Sequence, residues 1–345
     1  MITAVDDADR PFARLSPEVV LDAVEAMGLA TDGRLLALNS YENRVYRVGI
    51  DPGSLPVRDP LVLPHAVVAK FYRTRRWSDA QIQEEHGFVR ELAAAELPVA
   101  APLVFGGETL HEAAGYRFTL FECWPGGTPE LDLPDHRAML GRLLGRMHRI
   151  GAQRSFHGRA SIGSWRSGAR AREQVLQLGL IPPPLDERYA EVAGALVTAI
   201  ESRAGLLEQA RWLRVHGDCH AGNILWNPTG ALFVDFDDSL AAPAVQDLWM
   251  FCAGTTAQQQ SEWAALLDGY EQFAHFDAAE AGLIESLRGM RMLNHAAWLA
   301  ARWDDPAFPR AFPWFGEPRY WERHIAELRE QLEAVEDPPL LRTIG

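Results

Sequence analysis

Apolar positions along the chain first fall at helical spacing over residues 16–28 (SPEVVLDAVEAMG), which predicts a short amphipathic helix. Ser16 suits its N-cap, Pro17 its first turn, Glu18 the positive end of its dipole and Gly28 its exit. Strand-like runs dominate from there to about residue 122. Residues 44–50 (RVYRVGI) and 66–72 (AVVAKFY) predict two strands, joined by a loop that carries Pro52, Pro56, Pro60 and Pro64. Residues 79–95 return to helical spacing through Ile82, Phe88, Val89 and Leu92, a helix with one buried face. Further strands are expected at 102–105 and 116–122, after which Trp124-Pro125-Gly126-Gly127 breaks the pattern.

Past that break the spacing is helical over 134–150, 188–209, 261–273 and 278–303. Short apolar runs at 212–215 and 232–236 interrupt it and flank a polar loop, and residues 306–321 mix proline with aromatics as an ordered extension. The pattern predicts an α+β protein in two lobes. Residues 1–122 form a strand-rich lobe, 123–128 a hinge and 129–345 a helical lobe.

Composition narrows the function classes. The 345 residues are 48% hydrophobic and 23% charged, ordinary for a globular protein with ample core. Thirty-three Lys and Arg against 47 Asp and Glu give a net charge of −14, which argues against nucleic acid or an anionic membrane as the main partner. Three scattered cysteines suit a reducing compartment. The acidic start lacks an apolar leader, and no run approaches the roughly 18–20 apolar residues of a membrane span, so a cytoplasmic protein is expected.

The segment richest in chemistry is His216-Gly217-Asp218-Cys219-His220-Ala221-Gly222-Asn223, followed by Asp235 at the end of the apolar run Leu232-Phe233-Val234. A carboxylate at Asp218 can accept a hydroxyl proton while the Asn223 amide oxygen, five residues on, meets a hard cation. Magnesium on nucleotide phosphates takes only one or two protein carboxylates plus neutral oxygens, a demand that Asp235 and Asn223 match. The alternation His216, Asp218, His220 can also be read as a zinc set, but alternation along a loop does not by itself converge ligands.

The string HGDCHAGNILW with VDFDD resembles the catalytic and metal-binding loops of the aminoglycoside phosphotransferase and choline kinase superfamily, whose fold is protein-kinase-like. LNSYENRVY, VVAKFYR, EEHGFVREL, LGRMH, PAVQDLWM and WDDPAFPRAFPWF, in order along nearly the whole chain, are similar to the bacterial stress response kinase A family. The resemblance implies a bilobal fold with an antiparallel sheet in the first lobe, and a monomeric Ser/Thr protein kinase that uses ATP and Mg2+. It also implies Asp218 as catalytic base, Asn223 and Asp235 as metal ligands, with Asp235 counted in the catalytic set, and Ser40 as a contact to ATP.

Other residues follow from the chemistry that such an enzyme needs. Lys70 lies in an apolar strand, where an inward-pointing ammonium requires an anion, here ATP phosphate and a helix glutamate; an outward-facing edge lysine is the plain alternative. Glu85 shares the face of Phe88, Val89 and Leu92 and is the expected partner of Lys70, with Glu84 as the alternative. The loop Asn39-Ser40-Tyr41-Glu42-Asn43 has no glycine where protein kinases carry several over the phosphates. Phe121, Cys123 and Trp124 are expected to offer hinge backbone to adenine. Asp247 either braces the catalytic loop or sits on a helix surface, and Asp237 and Asp238 read as solvated acids. Arg73 and Arg291 are candidates to offset the acidic field, and Cys219 reads as an inert thiol.

The acceptor divides the two readings. Eleven residues separate Asp235 from Asp247, too few for an activation segment of the protein kinase type, and a small alcohol is the alternative acceptor. The family resemblance favours a protein hydroxyl. A nucleotide-binding module without catalysis is disfavoured because Lys70, Asp218, Asn223 and Asp235 are all present.

Overall fold

A computed structural model describes residues 11–56, 59–165, 167–252 and 256–337, so the outer bounds expected for the lobes, residues 1 and 345, lie outside it. The chain divides into two compact units, one of Met1–Glu130, His157–Arg159 and Ala221–Asp238, the other of Leu131–Phe156, Ala160–His220 and Ser239–Gly345.

The first unit is built on an antiparallel sheet of β1 (Thr31–Ala37), β2 (Arg44–Ile50), β3 (Ala66–Phe71), β4 (His111–Ala113) and β5 (Tyr116–Glu122), in the order β1-β2-β3-β5-β4. Side chains alternate across it. Val67, Ala69 and Phe71 join Val48, Ile50, Phe118 and Leu120 in a core closed by Val20 and Val24 of α1 (Pro17–Glu25). Lys70 therefore projects from the opposite face, and its register neighbours are Val45 and Thr119. The expected cap of α1 is present, with Ser16 Oγ accepting from the Val19 N–H. Helix α2 (Asp79–Ala94) starts with a capping box between Ser78 and Gln81, and it buries Ile82, Glu85, His86, Phe88, Val89 and Leu92.

Two strand expectations need correction. Residues 102–105 make isolated bridges, Pro102 to Phe121 and Phe105 to Glu108, instead of a strand. Pro102 has no N–H to give, and Gly106 and Gly107 turn the chain with φ of 59° and 91°. The strand lies further on, at β4. Strand β1 has no counterpart in the sequence reading because it is an exposed edge, bulged between Thr31 and Leu35, and shows no alternation of apolar residues.

The last part of the first unit is a hairpin of β7 (Ile224–Asn227) and β8 (Gly230–Phe233), counted after β6 (Leu213–Val215) of the second unit. Its turn is set by Asn227, whose Oδ1 accepts from the Thr229 N–H at 2.9 Å. One side of the hairpin bonds to Gly127, with N–H to O distances of 3.0 and 2.7 Å to and from Trp226; the other side bonds Phe233 to Pro98 and Ala100. The Gly-Gly break at 126–127 is thus a docking strip. A Cβ on Gly126 would lie 2.8 Å from Leu225 Cβ.

The second unit is mostly helical: α3 (Pro134–Gly151), α4 (Ile162–Trp165), α5 (Gly168–Leu178), α6 (Leu185–Glu201), α7 (Ala204–Gln209), α8 (Thr256–Tyr270), α9 (Ile284–Ala300), α10 (Ala307–Ala311) and α11 (Pro318–Glu336). Strand β6 pairs antiparallel with β9 (Leu240–Ala242). The stretch 188–209 is two helices, broken after Glu201, and 278–303 is a 3-10 turn at Ala278–Leu283 leading into α9. Its core joins Tyr189, Leu196, Leu293, Phe308, Phe315, Trp321 and Leu328, which shows that the Pro- and Trp-rich tail is part of the interior.

Candidate active site

In the first unit the metal-ligand candidates are placed by the register of a hairpin. Ile224 faces Phe233, and the Val234 N–H donates to the Asn223 carbonyl at 3.0 Å, so Asn223 and Asp235 sit at the open end of one hairpin. Asp235 has a φ of 58°, a left-handed backbone that non-glycine residues seldom adopt and that costs on the order of 1–3 kcal/mol. The strained turn swings its carboxylate, half exposed, to 2.9 Å from Lys70 Nζ. A carboxylate beside a buried ammonium, with an asparagine at the same end of the hairpin, suits a hard cation that carries nucleotide phosphates, so the residues present fit magnesium.

Lys70 is buried and pairs with Asp235 and, at 3.2 Å, with Asp237 Oδ1. Burial works against its charge, but the two aspartates outweigh that and raise its pKa well above the ordinary lysine value. The expected partner, Glu85, is 2% exposed and acts on Lys70 electrostatically, though it forms no ion pair among the described residues. Burial pushes its carboxyl up to about 7 against the pull of Lys70. The alternative, Glu84, is committed elsewhere: it accepts from the backbone N–H groups of His157, Gly158 and Arg159.

Asp237 is not the solvated acid expected. It is 3% exposed and anchors a network that the sequence did not reveal, with Arg76 on its carboxylate, Asn43 Nδ2 donating at 3.1 Å, and Arg159 donating to its carbonyl. Burial opposes its ionisation, but Arg76, Lys70 and Arg159 hold it well below the usual carboxylate range. Asp238 pairs with Arg76 at 2.7 Å. Asn43 also accepts from the Arg73 N–H at 3.1 Å, and Ser40 Oγ donates to the Asn43 carbonyl at 3.3 Å. The glycine-free loop is held by its asparagine. Only a contact across distant sequence could have disclosed Arg76 and Arg159.

At the expected hinge, Phe121 pairs with Val68 inside the sheet, and the buried Cys123 accepts from the Leu63 N–H at 2.8 Å through its carbonyl. Trp124 lies beyond the end of β5 and is partly buried.

In the second unit Asp218 follows β6 in a loop opened by Gly217, whose φ is 86°. Asp247, fully buried, braces that loop: its oxygens accept from the His216 N–H at 2.7 Å and the Gly217 N–H at 2.8 Å. His148 of α3 contacts the same carboxylate at 3.1 Å and Tyr270 at 3.0 Å, and Gln246 donates to the Gly217 carbonyl at 2.8 Å. His148 and Gln246 were not singled out in the sequence, although their segments were. Asp218 itself carries Arg291 on one oxygen and has His220 Nε2 3.5 Å from the other. Burial opposes its ionisation, but His220 and Arg291 hold it well below the usual carboxylate range. Cys219 is buried, and burial together with Asp247 and Asp218 raises its thiol well above its ordinary value, so the thiolate is suppressed.

An ionised carboxylate on a braced loop can accept a proton, and a paired lysine beside a carboxylate can hold phosphates. The model of the phosphotransferase enzyme family matches residues 34–289. The chain is 41% identical over 332 residues to stress response kinase A of Salmonella choleraesuis and to the serine/threonine protein kinase RdoA of Salmonella typhimurium, covering 96% of this chain and 97% of each relative. Its fold matches a solved amicoumacin kinase in complex with AMP-PNP and Ca2+ at a TM-score of 0.69 and 20% identity, over 93% of this chain and 94% of that one. Among the described residues no helix is long and apolar enough to cross a membrane. The chain belongs to the phosphotransferase enzyme family, on the branch of stress response kinase A, and has its kinase-like α+β fold.

Proposed function

We propose that this protein transfers the γ-phosphoryl group of ATP to a serine or threonine hydroxyl of another protein. The observation that carries the reading is the contact of Lys70 with Asp235, residues 165 apart in sequence, at the hairpin mouth where Asn223 also lies. Lys70 orients the phosphates. Asn223 and Asp235 would hold magnesium, which would supply neutralisation of the charge that builds on the phosphate oxygens. Asp218 accepts the hydroxyl proton as the hydroxyl oxygen bonds to the γ-phosphorus and the bond to the bridging oxygen of ADP breaks. Ser40 contacts the phosphates, and the backbone of Phe121, Cys123 and Trp124 meets adenine. Glu85 stays behind Lys70 and keeps its ammonium in place. The protein acceptor is supported by 41% identity to a relative named a serine/threonine protein kinase. We place the enzyme in the cytoplasm, as a monomer.

A second reading, transfer to a small hydroxyl compound, is favoured by the eleven residues between Asp235 and Asp247. The test supplies ATP labelled in its γ-phosphoryl group with a mixed protein substrate and, separately, a panel of small alcohols. Label on Ser or Thr of protein is expected; label confined to small alcohols overturns the first reading.

A further inference from the structure

Helices α9 and α11 of the helical unit border an open cavity of about 300 Å³ that takes Arg288, Arg291 and His295 from α9, Arg323 and His324 from α11, and Trp249 from the segment after Asp247. Three guanidiniums face it against one lining carboxylate, Glu327. Each arginine touches an acid on one side: Arg323 Nε is 3.3 Å from Glu327, Arg288 Nε is 3.2 Å from Glu285, and Arg291 is on Asp218.

Two donors here have nothing to give to. Arg288 Nη2 and Trp249 Nε1 are buried without a hydrogen-bond acceptor among the described residues. Trp249 is 6% exposed and His324 5%. Buried donors left unpaired are costly, so two at the edge of one pocket favour an acceptor that enters it and to which their side chains turn. Burial lowers the His324 pKa to about 4, so positive charge in the cavity comes from the arginines. Arg288 also lies over the Trp249 ring, 5.3 Å from its centroid, which fixes the guanidinium plane. Guanidiniums bind carboxylate or phosphate oxygens in pairs, and of the three here Arg288 is the one held by a ring.

Arg291 ties the cavity to the chemistry, since it lines the cavity and contacts Asp218. We propose that the cavity is a subsite for an anionic group of the acceptor, a carboxylate or phosphate carried close to the hydroxyl that Asp218 engages. This specificity rests on Asp218 being the base, as proposed above. An acceptor anion here draws Arg291 toward itself and frees the carboxylate for the hydroxyl. The chain as a whole is acidic, yet its acceptor is acidic too.

The test is a calorimetric titration without ATP, using two matched pairs of probes. One pair is a serine peptide flanked by glutamates against the same peptide flanked by lysines; the other is glycerate against glycerol. Charge-assisted pairing predicts that the acidic member of at least one pair binds about tenfold tighter or more. The pair that shows the preference tells a peptide side chain from a small hydroxy acid. Arg288→Gln and the surface variant Arg323→Gln should each weaken the acidic probe several-fold and leave the weak binding of its neutral or basic partner unchanged; Arg288→Lys should recover part of the loss. Equal binding of acidic and basic probes, no binding of either acidic probe, or an unchanged affinity in both glutamine variants overturns the proposal. Transfer of label from ATP to the mixed protein substrate by the same samples reports separately on phosphoryl transfer. Its absence would count against the kinase reading, whereas binding of the acidic probe would still stand.

Discussion

Lys70 pairs with Asp235 and Asp237 and acts on Glu85 at longer range, and the unequal fates of the buried carboxylates give a pH signature. Glu85, lifted to about 7 in the fold from its ordinary 4.5, binds more proton in the native than in the unfolded chain between those values. Stability from this residue is therefore full below about pH 4.5 and is lost as pH rises through about 7. Glu85→Gln keeps the side chain neutral and should flatten that slope, so that the variant gains melting temperature relative to the wild type from pH 5 to 8. Equal slopes in thermal melts across that range would contradict the assignment. Asp237 and Asp218 act with the opposite sign: their pKa values lie below the ordinary carboxylate value, so the stability they contribute is present at neutral pH and is lost on acidification. At this scale the sequence was legible where chemistry is local. Asp218, Asn223 and Asp235 could be named from their spacing, whereas burial of Asp237 depends on Arg76 and Arg159, which lie 161 and 78 residues away.

Between elements, glycine placement decides how closely α3 and α8 cross. A Cβ on Gly141 would stand 2.0 Å from the Leu266 carbonyl oxygen, and one on Gly269 2.0 Å from that of Ala138. These oxygens are backbone and cannot step aside without parting the helices. Gly141→Ala should cost about 1–3 kcal/mol or more, read as a lower melting temperature. Gly205→Ala, in α7 with nothing within 4 Å of its Cβ, should be neutral or stabilising by about 0.5–1 kcal/mol. Equal effects of the two would count against close packing of α3 on α8. The pair also shows what spacing alone conceals, because both glycines are only helix-weakening residues until the partner helix is known. Strand β1 escaped notice for the reverse reason, being too exposed to carry a pattern. Helix α11 did carry one, in Tyr320, Trp321, His324, Ile325 and Leu328, but the prolines and aromatics before it obscured its start.

Across the molecule, a net charge of −14 surrounds the site proposed for a polyanionic nucleotide, and the offsets are local. Lys70, Arg76 and Arg159 gather around Asp237 in the first unit, and Arg288, Arg291 and Arg323 line one cavity in the second. The α+β class was legible from the change in hydrophobic spacing. The grouping of 221–238 with the strand-rich residues was not, because it follows from hydrogen bonds of the β7–β8 hairpin to residues 98–100 and 127. The division leaves Asp218 in one unit and Asn223, five residues later, in the other. The most direct measurement is γ-phosphoryl transfer from labelled ATP by Asp218→Ala beside the wild type, with nucleotide affinity measured on the same samples. Loss of a general base predicts a fall in turnover of about 10²–10⁴-fold with nucleotide affinity within a few-fold of wild type. Transfer by Asp218→Ala at the wild-type rate would contradict the assignment of Asp218 as base.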